Sequence, residues 1–172
     1  PKENVLLVCP RQGRGAPPFP AECARAAAAL GAKRGWKVRY VAMNVRQDLP
    51  LCRALVSETG GEAAAAPENT AALTRLFASA RLTVSMRLHA LTLSYLAGTP
   101  AFGIDGDGRI AAFAKECGIP YRAVEECGDI AAALEEALTA ETPDAAIWND
   151  RLAAGRAALA RALRAPEKEK EK

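Results

Sequence analysis

Apolar runs of strand length alternate with Ala/Leu-rich runs of helical length along the chain. The apolar, β-rich runs cover residues 5–9, 38–43, 62–66, 82–85, 101–104 and 121–124. The helical runs between and after them cover residues 21–33, 47–58, 69–80, 86–97, 110–117, 130–138 and 143–164. Parallel strands need long crossover connections, which are usually helices. The pattern therefore predicts an α/β fold, a Rossmann-like, doubly wound and mainly parallel sheet of about six strands.

Length and composition support one globular domain. The chain has 172 residues, of which 50% are hydrophobic and 25% are charged, enough to bury a core without disulfides or structural metals. We predict that residues 1–165 form this domain and that residues 166–172, with three Lys and three Glu, form a charged, solvated tail. The net charge of +3, the lack of a dense basic block and the aromatic content of 5% argue against nucleic-acid binding.

The cysteine and histidine content argues against a metal site. The five cysteines form no CxxC pair and the chain has one His, so a zinc site is not expected. An odd number of cysteines cannot all pair, which favours reduced thiols and a cytoplasmic protein. No run reaches the ~18 apolar residues that span a bilayer, so no transmembrane segment is predicted.

The loops that follow the strands are the expected ligand site, because ligands of parallel sheets bind beyond the carboxyl ends of the strands. The loop after the first strand contains Arg11 and Arg14, which either bind an anion or are simply solvated. Its glycines do not form a GxGxxG fingerprint, and Met43-Asn44 stand where a dinucleotide-binding protein has an acidic residue. We therefore expect no dinucleotide, and we predict no other cofactor.

Residues 82–97 carry the most chemical information. A buried strand leads to Ser85, a good helix N-cap, and then to a helix that is apolar nearly all round and is therefore predicted to be internal. The first turns of this helix contain Arg87 and the only histidine, His89. A cation opposes the dipole at a helix N-terminus, so an anion should compensate Arg87, either an internal carboxylate or a bound phosphate or carboxylate. His89 is either a core histidine or a catalytic group in the ligand cleft.

Several motifs resemble those of the polysaccharide pyruvyl transferase family, including its CsaB-type cell-wall enzymes. The similar stretches are Ser85-Met-Arg-Leu-His-Ala-Leu91, Ala97-Gly-Thr-Pro100, Phe102-Gly-Ile-Asp-Gly-Asp-Gly-Arg-Ile110 and Val41-Ala-Met-Asn-Val-Arg-Gln-Asp48. The chain departs from the family pattern at Gly106, where Tyr is usual, and at Gly108, which replaces Pro. Arg109 replaces a Lys and preserves its charge, and Asp107 preserves the acid.

The resemblance implies a two-domain, GT-B-like architecture, of which this chain matches the C-terminal, catalytic half. The missing N-terminal domain of the same protein is expected to supply part of the phosphoenolpyruvate site. The implied activity is transfer of pyruvate from phosphoenolpyruvate to a sugar of a cell-surface polysaccharide or its lipid-linked precursor, forming a ketal. The implied location is the cytoplasm, with peripheral contact at the inner face of the cell membrane.

The resemblance also implies roles for individual residues. His89 is the expected catalytic acid, since histidine exchanges protons readily near neutral pH. Arg87, Arg11 and the region around Ser85 are expected to bind the anionic groups of phosphoenolpyruvate, because a guanidinium fork fits a carboxylate or a phosphate. The loop that contains Asp107 and Arg109 is expected to contribute to substrate binding.

Two other functions remain open from the sequence. The domain could bind a sugar nucleotide, as in a GT-B glycosyltransferase or a sugar-nucleotide epimerase, with Glu125 or Glu126 on the ribose hydroxyls. It could also be a non-catalytic Rossmann-like module that binds a partner or a sugar polymer.

Overall fold

The computed structural model describes residues 2–13 and 15–140. The strands are β1 (Val5–Cys9), β2 (Lys37–Ala42), β3 (Glu62–Ala65), β4 (Leu82–Ser85), β5 (Ala101–Asp105) and β6 (Tyr121–Ala123). The helices are α1 (Ala21–Arg34), α2 (Val45–Thr59), α3 (Thr70–Ser79), α4 (Leu88–Leu96), α5 (Arg109–Cys117) and α6 (Ala131–Thr139), and a 3-10 helix covers Val124–Asp129. Arg14, the predicted helix 143–164 and the predicted tail 166–172 lie outside the described residues.

The strands form one parallel sheet in the order β3-β2-β1-β4-β5-β6. β1 lies in the middle, where Leu6 pairs with Val38 of β2 on one side and with Leu82 of β4 on the other. This is the strand order of a Rossmann-like domain, so the predicted fold class is confirmed. The order reverses between β1 and β4, and the crevice at such a reversal is the usual position of a ligand.

Helices cover both faces of the sheet, which explains why β1 is buried at every position. Leu6 and Val8 of β1 pack in one cluster with residues of α1, α2 and α6. Leu7 and Cys9 pack in the opposite cluster with residues of α3 and α4. Successive residues of a strand point to opposite faces, so this alternation places the two sets of helices on either side of the sheet.

Helix α4 differs from its prediction in start and in burial. It begins at Leu88 rather than at residue 86, because the backbone is still extended at Arg87. It buries the side that contains Leu91 and Tyr95, whereas Leu96 is 47% exposed. The prediction of a helix enclosed on all sides is therefore wrong for the described part of the protein, in which α4 packs against the sheet between α3 and α5.

Gly103 of β5 provides a test of this packing. A Cβ atom added there would lie 2.7 Å from Cγ2 of Ile110 in α5 and 3.1 Å from Cβ of Tyr121 in β6. Because the core is close-packed, we expect Gly103→Ala to lower the free energy of unfolding by about 1–3 kcal/mol. Gly128→Ala is the matched control, since a Cβ added at Gly128 meets nothing within 4 Å. Urea unfolding of both variants measures the difference, and equal stabilities would contradict the packing described for β5.

Candidate functional site

A small cavity lies at the carboxyl ends of β1, β4 and β5, where the strand order reverses. Its volume is about 140 Å³. It is lined by Arg11, Met86, Arg87, Leu88, His89, Gly106, Asp107, Arg109 and Ile110. All of the predicted site residues except Ser85 are in this lining. The structure thus brings residues from three separate loops to one place, as expected for a ligand site of this fold.

Ser85 is not the N-cap of α4, so that prediction is wrong. The Met86 N–H donates to the Cys9 carbonyl at 3.0 Å, which continues the pairing of β4 with β1 beyond the end of the strand. The backbone is still extended at Arg87, the observed N-cap residue. The buried Ser85 hydroxyl accepts the Arg87 N–H at 2.9 Å and donates to the Arg87 carbonyl oxygen at 2.9 Å. Ser85 therefore fixes the turn between β4 and α4 from inside the protein.

The N-terminus of α4 is open, whereas that of α5 is closed. No side chain caps α4, and the N–H groups of Leu88 and His89 have no acceptor within the described residues. At α5, the Asp105 carboxylate accepts the N–H groups of Gly108 and Ile110, each at 3.0 Å, and that of Ala111. Unpaired N–H groups and the helix dipole favour an anion, so α4 rather than α5 can offer its N-terminus to one.

Arg87 is compensated by an internal carboxylate, that of Asp48 in the first turn of α2. Nε of Arg87 donates to Oδ2 of Asp48 at 3.0 Å, and Nη2 donates to Oδ1. Asp48 is fully buried and also accepts the backbone N–H groups of Gln12 at 3.1 Å and Asn44 at 2.9 Å. Nη2 donates further to the Gln12 carbonyl oxygen at 3.3 Å. Of the two alternatives for Arg87, the structure thus has the internal carboxylate, while the residue still lines the cavity.

Asp107 lies between two guanidinium groups at the cavity. Its Oδ2 accepts Nη1 of Arg11 at 2.7 Å and Nη2 of Arg109 at 2.6 Å. Nε of Arg109 donates to Oδ1 of Asp107 at 3.1 Å. Hydrogen bonds from Arg109, and then from Arg11, hold the pKa of the Asp107 carboxyl well below its usual range. Asp107 is therefore an anion across the neutral pH range.

His89 is the second residue of α4 and is exposed at the cavity. Within the described residues its imidazole has no hydrogen-bond partner. The alternative of a satisfied core histidine is therefore excluded. The geometry leaves the side chain available to a ligand that occupies the N-terminus of α4.

The glycine at position 106, where the family has Tyr, is matched by a neighbouring loop. A Cβ atom at Gly106 would lie 2.6 Å from Cγ of Pro17 and 2.8 Å from Cε of Met86. Pro17 therefore occupies space that a side chain at position 106 would need. A side chain at position 106 would therefore require the loop that contains Pro17 to move.

The cysteines take no part in the site. All five are buried and free of disulfides. Burial raises the pKa of Cys9 and of Cys23, and raises that of Cys52 to about 12, which makes these thiols poor nucleophiles.

Among the described residues no group of His, Cys, Asp or Glu side chains is arranged to hold a metal ion. None of the described helices combines the length and apolarity needed to cross a membrane.

Sequence reasoning missed Asp48 and Asp105 as site residues. Asp48 ends the stretch that resembles the family after the second strand, so a signal existed. An acid in the first turn of a helix is also expected simply from the helix dipole, so the position of Asp48 alone does not indicate a site residue. Asp105 ends β5 immediately before a Gly-Asp-Gly turn, a position typical of a side chain that accepts backbone N–H groups of the residues that follow it.

Removing the Asp48 carboxylate tests whether the ion pair holds the site together. Asp48→Ala leaves Arg87 and two backbone N–H groups without the buried carboxylate that accepts from them, so we expect a loss of about 3 kcal/mol in the free energy of unfolding. Glu58→Ala is the control, because the Arg25–Glu58 pair is exposed and such pairs contribute at most about 1 kcal/mol. Chemical denaturation measures both, and a loss for Asp48→Ala no larger than that of the control would contradict this role.

Comparison with known proteins identifies the family of this chain. The family model of the polysaccharide pyruvyl transferases matches residues 17–108, more than half of the chain. The matched region contains Asp48, Arg87, His89 and Asp107 but ends just before Arg109. No curated protein and no solved structure matches the chain. With the match extending from the loop after β1 to the loop after β5, this chain belongs to the polysaccharide pyruvyl transferase family.

Proposed function

We propose that this chain is the catalytic half of a pyruvyl transferase that moves pyruvate from phosphoenolpyruvate to a sugar. The acceptor is a cell-surface polysaccharide or its lipid-linked precursor, and the product is a pyruvate ketal. The observation that supports this most is the cavity itself, in which three arginines and the only histidine meet at the open N-terminus of α4. These groups suit a small molecule with a phosphate and a carboxylate.

The anionic groups of phosphoenolpyruvate would be bound by dipoles and guanidinium groups. The N–H groups of Leu88 and His89 are suited to one of them, because an uncapped helix N-terminus attracts anions. Arg87 contributes Nη1, the one of its nitrogens that has no acceptor within the described residues. Arg11 and Arg109 complete the positive lining. The Asp48 contacts hold Arg87 in one orientation before the ligand arrives, which reduces the cost of ordering it.

His89 would donate a proton to C3 of the enol. Protonation at C3 gives C2 cationic character, a sugar hydroxyl attacks C2, and the C2–O bond to phosphate breaks. A neighbouring hydroxyl then closes the ketal. Of the two hydroxyl protons, one replaces the proton delivered to C3 and the other leaves with the phosphate. A bound phosphate dianion stabilises the imidazolium form of His89, so the substrate would help to charge its own acid.

The remainder of the site would come from outside this chain. We propose that residues 1–165 form the C-terminal, Rossmann-like half of a two-domain, GT-B-like protein, whose N-terminal half completes the phosphoenolpyruvate site. The protein would work in the cytoplasm, at the inner face of the membrane where lipid-linked acceptors are exposed.

The two alternative functions have weaker support. A sugar-nucleotide site would need Glu125 or Glu126 near the ligand, and neither lines the cavity at the α4 N-terminus. A non-catalytic module would have no need of an exposed histidine beside an uncapped helix. The family match also favours the transferase over both.

Ligand-dependent stabilisation separates the transferase from the sugar-nucleotide alternative. We expect phosphoenolpyruvate at saturating concentration to raise the unfolding temperature of the chain, since a ligand at 100 times its Kd stabilises by about 2.7 kcal/mol. UDP and UDP-glucose at the same concentration and ionic strength should give no comparable rise. Differential scanning fluorimetry measures all three. Stabilisation by UDP alone would favour a glycosyltransferase or epimerase and would contradict the proposal.

The single histidine makes the acid directly observable by NMR. Phosphoenolpyruvate is expected to move the His89 Cε1–H resonance towards the position of the imidazolium form. In the protein assembled with its N-terminal half, His89→Gln should lower turnover by about 10²–10⁴-fold, the usual contribution of a general acid. Turnover near that of the wild type, with unchanged thermal unfolding, would remove His89 from the mechanism.

A further inference from the structure

Two carboxylates neutralise arginines at the cavity, and they differ in accessibility. Asp48 is fully buried, and four different donors hold its carboxylate. The side chain of Asp107 is 34% exposed, and two guanidinium groups hold it, that of Arg11 from the loop after β1 and that of Arg109 from the start of α5. Asp48 cannot leave Arg87 without burying an unpaired charge. Asp107 can rotate into water at little cost, because exposed ion pairs are weak.

The position of Asp107 is that of a bound anion. Its carboxylate accepts hydrogen bonds from Arg11 after β1 and from Arg109 at the start of α5. Arginine side chains that converge on one carboxylate present the same donors to a phosphate or to the carboxylate of a ligand. Both arginines line the cavity together with His89.

We propose that Arg11 and Arg109 form an anion subsite at the cavity, in which Asp107 is a resident counter-ion that the ligand displaces. The proposal rests on the proposed function for the identity of the ligand, phosphoenolpyruvate, but requires only that the ligand have a carboxylate or phosphate group. The two arginines keep a negatively charged partner throughout, because an anionic group of the ligand replaces the Asp107 carboxylate. The Asp107 side chain then faces water, and its repulsion of the ligand decreases.

The counter-ion role of Asp107 and a direct contact of Asp107 with the ligand predict opposite effects of removing its carboxylate. If Asp107 bound the anionic ligand or only fixed the two arginines, its removal would weaken binding. If Asp107 competes with the ligand, its removal strengthens binding. Its low pKa, caused by Arg109 and Arg11, means that the competition persists across the neutral pH range.

The test compares anion affinities of the chain with and without the competing carboxylate. The His89 resonance is titrated with phosphoenolpyruvate, with inorganic phosphate and with pyruvate at fixed ionic strength. We expect Asp107→Asn to lower the Kd about two- to fivefold, the size of an exposed ion pair. The ligand whose Kd changes identifies whether the subsite takes the phosphate or the carboxylate.

Glu135→Gln is the matched control. Like Asp107, Glu135 accepts from two cations, here Lys33 and Arg34, and its substitution changes the net charge by the same amount. Glu135 belongs to α6 and its partners belong to α1, so this group does not line the cavity. An equal gain in Glu135→Gln would show a general charge effect and contradict the proposal. Combining Asp107→Asn with Arg11→Gln should remove most of the gain, because the subsite is then incomplete.

The remaining outcomes separate the two proposals. Weaker or unchanged anion binding in Asp107→Asn overturns the counter-ion role, whichever anion is used. Tighter binding of phosphate or pyruvate, without preference for phosphoenolpyruvate in the wild type, supports the subsite and contradicts the proposed function. If none of the three anions binds the wild type or Asp107→Asn, the counter-ion role is overturned, whereas the proposed function is decided by the turnover of the protein assembled with its N-terminal half.

Discussion

The buried ion pair between Arg87 and Asp48 is the interaction on which the geometry of the site depends. It joins the start of α4, the first turn of α2 and, through Gln12, the loop after β1. These segments follow three different strands, and the ion pair joins all three at one point. A carboxylate with no solvent exposure must keep all of its donors, so the pair permits one arrangement of the three loops.

The Arg87–Asp48 pair also lets a guanidinium group line the cavity while its charge is offset by a buried carboxylate. The lining contains the guanidinium groups of Arg11, Arg87 and Arg109 against one carboxylate, that of Asp107. Asp48 lies behind Arg87 and offsets its charge from the protein side. The open end of α4 adds partial positive charge where no side chain opposes it. Asp105 closes α5, so the attraction for an anion is concentrated at one helix rather than spread over two.

The fold was predictable from the sequence because most of the strands are short apolar runs that alternate with runs of helical length. The same reasoning predicted Arg11, Arg87 and His89 as neighbours, since strands of a parallel sheet end at one edge. Reasoning from the sequence failed where a contact joins side chains from two strands that are not neighbours in the sheet. Asp48 follows β2, which does not neighbour β4, and meets Arg87 only by reaching past the loop after β1. Ser85 was misjudged because local preference favours a cap, whereas the Met86–Cys9 hydrogen bond keeps the chain extended for two more residues.

The size of the cavity limits what this chain can bind by itself. Ligand pockets commonly have volumes of about 300–1,000 Å³, whereas this cavity has about 140 Å³. The cavity has room for a small anion but not for a sugar as well. His89 is exposed at its edge, so under the proposed mechanism its proton would reach a ligand atom that faces outwards. The acceptor sugar would then approach from the solvent side of His89, the side that the proposed N-terminal domain would cover. The asymmetry of the site, closed towards Asp48 and open beyond His89, therefore supports the proposal that a second domain completes it.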